Sequence, residues 1–387
     1  MARTFPKKIY GPIALHSLAL QNGGTLLLIA DHHHYNAGQP GEGAVYVADF
    51  LESAAWIDEI WIEASTIVDA GILKRTTSAD ACPLIATIHR GVFLTEAPHD
   101  PAPLAARIRF ADVRRAGIFW LLSAIEEPGL FMTLFEQMFP DIKERIMRRQ
   151  TNPGGPRSRG TIAYRFLKGI EGGFFRALRK KDSGMAFLKS LVMPGMAYPA
   201  WLQAAIEEAA GYGILMYNPV HDVVERMDAA MRERFWEAVA ESWHFLLDAR
   251  NRSAAIDDVL ETQARSTSRQ VLERYPDDKG LMSYVVRILS LVMDAFVVGS
   301  ILTEPPKERA LVAGGNHTGS IARILVRLGW VMDTPGTYSV MTDNASLDME
   351  NRTSISLAWE LGSPGQMLSR FRHSFARRHG LAEVSKK

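Results

Sequence analysis

Four short apolar runs, each of strand length, stop at side chains that carry charge or handle protons. Residues 25–30 lead into Asp31, His32, His33 and His34, and residues 59–62 lead into Glu63. Residues 107–111 lead into Asp112 and Arg114, and residues 309–313 lead into Gly314, Gly315, Asn316 and His317. In an open parallel sheet the ligand crevice lies outside the carboxyl ends of the strands. One sheet holding all four runs would therefore gather four histidines, two aspartates, a glutamate and at least one arginine in one cleft.

The spacing between the runs supports such a sheet. After the first comes a Gly/Pro-rich loop at 36–41, and then Val47, Phe50, Leu51 and Ala54 recur at helical spacing before the run at 59–62. A strand, a helix and a second strand in that order predict a parallel pair. From about residue 117 the pattern changes to helices, expected over 119–139, 201–210, 221–249, 253–274 and 281–303. Pro305 and Pro306 stop the last of these, and a strand, a glycine turn at 314–319 and a helix at 321–328 follow. A final strand is expected at 337–342, and the segment past 365 reads as a basic tail. The fold class is α/β, a mostly parallel central sheet with flanking helices and a large helical insertion. Residues 1–116 and 309–387 supply the two parts of the α/β core, and 117–308 the insertion.

Composition narrows the function classes. Over 387 residues, 47% hydrophobic and 22% charged content describes a globular chain rather than a disordered one. A formal net charge of +1 gives no global attraction to nucleic acid or anionic lipid. The single cysteine, Cys82, excludes an intramolecular disulfide and a Cys-rich zinc site, so a metal would need histidines and carboxylates. Residues 1–8 precede no apolar stretch with a cleavage site, so no signal peptide and an intracellular location are expected. The segment 284–302 is apolar but carries Arg287 and Asp294, each costing roughly 2.5–3.5 kcal/mol at a bilayer centre. A buried helix is the better expectation there, with no transmembrane segment.

Each constellation suggests chemistry. Asp31 with His32, His33 and His34 matches the donor types that hold a divalent metal, His32 and His34 sharing one side of an extended segment and His33 the other. Glu63, at the end of an apolar run, suits general acid or base work if partly desolvated. Gly314 to Ser320 resembles a phosphate cradle but lacks the Walker lysine, which leaves His317 as a base or ligand. Arg107, Asp112 and Arg114 suit clamping an anion or stabilising an oxyanion. Asp294, inside an apolar run, needs a partner, and the cleft, Arg287 or another arginine of the insertion could supply it. Residues 143–181, rich in Lys and Arg with Tyr164, Phe166, Phe174 and Phe175 among them, present either a nucleic-acid surface or an ordinary wet helical face.

In order, these pieces resemble an uncharacterised protein family of large DNA viruses. That family's pattern has a strand and a Gly-Asp-x-His motif, an acidic strand end, an Arg-x-His-x-x-Asp-x-Arg segment, an Asp-containing apolar helix and Gly-Gly-x-His-Thr. The corresponding pieces here are Ala30-Asp31-His32-His33, Glu63, the segment from Arg107 to Arg114, Met293-Asp294-Ala295-Phe296, and Gly314-Gly315-Asn316-His317-Thr318. Ala30 stands where the pattern has glycine and Arg109 where it has histidine. The paired histidine motifs also resemble a wider superfamily of erythromycin esterase-like hydrolases, TIKI-type metalloproteases and haem-binding ChaN-like proteins. That resemblance implies His33 and His317 as the paired histidines, Glu63 as the acid, and Arg107 or Arg114 as the basic member.

The resulting expectation is a hydrolase acting on a small molecule or peptide, in host cytoplasm or virion. His33, Glu63, Arg107, Asp112, Arg114 and His317 would be catalytic, and Asp31, His32, His33 and His317 would hold a divalent metal if one takes part. The alternative is a non-catalytic virion component that binds viral proteins and keeps a degenerate site, which the departures at Ala30 and Arg109 favour.

Overall fold

The computed structural model describes residues 8–10, 14–19, 23–31, 44–63, 107–114, 116–126, 172–173, 176–177, 181–211, 216–247, 279–332 and 346–348. The strands are β1 (Lys8–Tyr10), β2 (Ala14–Ala19), β3 (Thr25–Asp31), β4 (Ala44–Tyr46), β5 (Glu59–Ile62), β6 (Ile108–Phe110), β7 (Glu308–Gly314), β8 (Val331–Met332) and β9 (Ser346–Asp348). The helices are α1 (Val47–Ser53), α2 (Ile118–Glu126), α3 (Lys181–Val192), α4 (Ala200–Gly211), α5 (Pro219–Val224), α6 (Ala229–Leu247), α7 (Lys279–Thr303) and α8 (Gly315–Arg327).

Six strands form the central sheet in the order β6-β5-β7-β3-β2-β8. The first four are mutually parallel, and β2 runs antiparallel to both β3 and β8. The α/β class is as the sequence implied. The predicted β3 and β5 do point the same way, yet they are not neighbours, because β7 lies between them and pairs with both. Its burial on both faces explains the central place, since Ala310 to Ala313 are all fully enclosed. A separate three-stranded sheet, β4-β1-β9, joins the two ends of the chain.

Alternation along the strands divides the core. Leu27 and Ile29 of β3, Ile60 and Ile62 of β5, and Ala310 and Val312 of β7 face α1, meeting Val47, Phe50 and Leu51. Leu26, Leu28, Trp61, Leu311 and Ala313 face the other way, into a larger core with Phe119 and Leu122 of α2, Val292 and Val297 of α7, and Ile321 and Leu325 of α8. The helices of 117–308 thus share a core with the sheet and form a layer on one of its faces. Among the described residues, no helix is long and apolar enough to cross a membrane, and α7 lies instead against α5, α8 and α2.

A group of charges fastens the amino ends of β5 and β7. Arg309, 2% exposed, donates from Nε to Glu59 Oε2 and from Nη2 to Glu304 Oε2, both at 3.1 Å. Lys307 and Arg109 close on Glu59 Oε1. Burial favours the neutral Glu59 carboxyl, but these three cations outweigh it and hold the group down to about 2.

Candidate functional site

The carboxyl ends of β3, β5, β6 and β7 lie on one edge of the sheet, as parallel strands must. After β5 the next described strand, β6, lies to one side; after β7 the chain turns the opposite way, over β3, to β8. Strands β5 and β7 therefore flank a switch point, where open α/β sheets form their crevice. Glu63 follows β5 there, and α8 begins directly at the end of β7.

Parity decides where Glu63 points. It stands two residues after Trp61, on the face that carries α7 and α8. Its Oε2 accepts the backbone N–H of Gly314 at 2.7 Å, and Gly314 is the N-cap of α8. A carboxylate at a helix N-terminus also has the favourable end of the helix dipole. The glycines were expected to form a turn over 314–319, but α8 already starts at Gly315. His317 therefore occupies the first helical turn, and a side chain of the protein itself takes the place an anion would have in a cradle.

Five charged side chains alternate in sign across this edge. Asp294 Oδ1 lies 2.6 Å from His317 Nδ1, and His317 Nε2 lies 3.1 Å from Glu63 Oε1. Arg114 Nη2 reaches the same Glu63 oxygen at 3.1 Å. Asp112 then grips Arg114 through two parallel bonds, Nε to Oδ1 at 2.9 Å and Nη2 to Oδ2 at 3.0 Å. Asp112 Oδ1 also accepts the backbone N–H of Arg114, so the turn after β6 aims the guanidinium. Exposure falls from 18% at the Arg114 side chain to 2% at Asp294. The chain of charges thus runs from the partly exposed Arg114 into the core.

The electrostatics follow from this placement. Burial alone disfavours the His317 imidazolium, but the Glu63 and Asp294 carboxylates on either side push it up to about 10. Burial would raise the Asp112 carboxyl, yet Arg114 holds it below its ordinary value. Arg323, four residues before the end of α8, has its value lowered by burial and partly restored by Asp294. His317 thus has both ring nitrogens engaged, Nδ1 by Asp294 and Nε2 by Glu63, so a metal at Nε2 would have to displace Glu63.

Four of the eight expected site residues assemble, and Arg107 is a clear exception. Glu63, Asp112, Arg114 and His317 come together, and Asp294, whose partner the sequence left open, meets His317. Arg107 does not join them. It stands at the start of β6, where its guanidinium donates to the carbonyls of Leu51, Glu52, Ala54 and Ile57 at 2.9–3.1 Å. Those carbonyls belong to the end of α1 and the turn that follows it, so Arg107 ties that turn down at the opposite edge of the sheet. Arg109 likewise serves Glu59 and not the crevice.

The histidine cluster is placed only through its strand. Asp31 is in register with Gly314, so the backbone leaving β3 starts beside the α8 N-terminus. His32, His33 and His34 lie outside the described residues, as do the helix expected at 253–274, the strand at 337–342, the tail and most of the basic stretch 143–181. Among the described residues, no group of three His, Cys, Asp or Glu is arranged to hold a metal.

Comparison of the chain with protein-family models, with curated proteins and with solved structures gives no match.

Proposed function

We propose that the chain is a hydrolase whose proton-handling group is Glu63, acting in the crevice between β5 and β7. The observation that carries this proposal is the alternating series Asp294, His317, Glu63, Arg114 and Asp112 at a topological switch point. In such a reaction Glu63 takes a proton from water as the water oxygen bonds to an acyl or phosphoryl centre. It then returns that proton to the leaving group as the older bond breaks. His317 and Arg114, two cations converging on Glu63 Oε1, stand where charge developing on the substrate would be stabilised. The substrate is a small molecule or peptide entering on the Arg114 side. A metal-assisted version would draw on residues 31–33 at the β3 exit, and elemental analysis of the purified protein separates the two versions. An origin in a large DNA virus belongs to the same proposal and rests on the motif order alone.

A second, non-catalytic proposal is favoured by one observation. Each charged member of the series already has an opposite charge within 3.1 Å inside the protein. The series could then serve only to tie β5, the β6 exit, α7 and α8 together in a virion or scaffold component. Turnover distinguishes the two. Wild-type protein, Glu63→Gln and His317→Gln are assayed on a panel of chromogenic esters, phosphoesters and peptides. Hydrolysis by wild type that both variants lose, with the far-UV spectrum unchanged, supports the enzyme. Equal rates in all three proteins leave the structural tie.

A further inference from the structure

A hollow of about 400 Å³ lies between α3 and the first half of α6, and no residue of the crevice lines it. Its size is that of a small-molecule site. Residues four apart on a helix stand one above the other, and both walls are built that way. Helix α3 contributes Lys189 and Met193, while α6 contributes the pairs Arg232 with Trp236 and Glu233 with Glu237. Trp236 and Met193 give the hollow an apolar floor, and the other four side chains carry charge.

Those charges are sorted by depth. At 3.6 residues per turn, Arg232 falls on the side of α6 that carries the enclosed Phe235 and Val239, whereas Glu233 and Glu237 fall on the solvent side. Burial agrees, since Arg232 and Lys189 are half-buried and both glutamates are exposed. Arg232 is held in place by Nη2, which donates to the carbonyls of Met227 at 2.9 Å and Glu225 at 3.3 Å, just past α5. Its Nε is enclosed without a hydrogen-bond acceptor, which leaves Nη1 as the donor open to a ligand. Lys189 Nζ rests 5.6 Å from the centroid of the Trp236 ring. Among the described residues, Lys189, Glu233 and Glu237 have no ion-pair partner.

We propose that this hollow binds a small zwitterion of the aromatic α-amino acid class, with its carboxylate held between Lys189 Nζ and Arg232 Nη1. The ammonium group then faces Glu233 and Glu237 at the rim, and the ring lies on Trp236 and Met193. A ligand with only a negative charge would meet two glutamates, and one with only a positive charge would meet two cations. A molecule carrying both, in this order, is matched at each end. Lysine and arginine donors form charge-assisted bonds to a carboxylate. Offset stacking on an indole suits an aromatic side chain. The contact of Lys189 with Trp236 is of the weak kind made outside a dry interior, so its ammonium can turn to a ligand carboxylate at little cost. The hollow stands apart from the hydrolase proposal and does not rest on it.

The test titrates phenylalanine into the full chain and follows the indole N–H signal of Trp236 by NMR, with Trp236→Phe identifying that signal among the 8 tryptophans. A saturable shift below about 10 mM is the expected result. Phenethylamine, which lacks the carboxylate, should bind at least about tenfold more weakly, and so should phenylalanine to Lys189→Gln. Phenylacetate, which lacks the ammonium, should bind at least about threefold more weakly, because the rim glutamates are exposed. No shift in wild type up to about 10 mM overturns the proposal. Equal binding of phenylacetate and phenylalanine overturns it as well, as does undiminished binding by Lys189→Gln. Lys189 is a half-buried surface residue, so its replacement leaves the fold intact for the comparison.

Discussion

Raising the pH should weaken this protein through one identifiable proton. His317 has an ordinary value of 6.5 and is held at about 10 in the fold. The folded state thus keeps a proton that the unfolded chain releases. The contribution is fully present below about pH 6.5, declines as pH rises, and is gone once pH passes about 10. Between those limits the slope is about 1.4 kcal/mol per pH unit, which accumulates to a few kcal/mol. Against a total stability of about 5–15 kcal/mol that loss is large. The assay is urea unfolding of wild type and His317→Gln at about pH 7, 8.5 and 10, with the difference between the two proteins taken at each pH. Titration of lysines and tyrosines largely cancels in that difference. Wild type should lead by the most at about pH 7, and its lead should shrink steadily toward about pH 10. A lead that stays constant across the range would refute the assignment of the raised value to His317.

Two further variants test the surrounding structure. Arg107→Ala should cost about 2 kcal/mol in urea unfolding, because charged donors leave four carbonyls at the end of α1 and the turn that follows it, while the NMR signals of His317 stay in place; a shift of those signals contradicts the placement of Arg107 away from the crevice. Gly117→Ala should lower stability by about 3 kcal/mol or more. Gly117 has φ of 52°, and an added Cβ would come within 1.9 Å of the Tyr217 carbonyl oxygen, which is backbone and cannot swing aside. A melting temperature equal to that of wild type contradicts the packing of that turn.

Sequence patterns showed β3, β5 and β7 because those strands are buried on both faces. Continuous apolar runs at 26–30, 60–62 and 310–313 leave little else for β3, β5 and β7 to be. Their order was not legible, since the pairing of β7 with β3 joins residues such as Leu28 and Leu311 that no local pattern connects. β2 escaped notice because His16 and Ser17 interrupt its apolar character, although burial encloses His16 and lowers its value to about 4. The start of α8 was misjudged because three glycines read as a turn, whereas Gly314 and Gly315 simply begin a helix at the end of a strand. Signals for other boundaries were present. Asn218 caps α5 ahead of Pro219, and Asp228 accepts the N–H of Met231 at the start of α6, so the single helix expected over 221–249 is two.

The site was half legible for a related reason. Charged residues that follow an apolar run stand at a carboxyl end, which placed Glu63, Asp112, Arg114 and His317 correctly. Arg107 precedes its strand, and that position puts it on the opposite edge. Asp294 could be flagged as an acid in an apolar helix, but only the fold supplies its partner.

Glu63 and His317 form one unit where β5 ends and α8 begins. A double-mutant cycle measures this directly, from the stabilities of wild type, Glu63→Gln, His317→Gln and the double variant in urea at about pH 7. Partners in one network couple by about 0.5–3 kcal/mol, and a buried ion pair at 3.1 Å belongs in the upper half of that range. A coupling above about 1.5 kcal/mol is the predicted result. Additivity within about 0.3–0.5 kcal/mol, the behaviour of distant residues, would contradict the account at its centre.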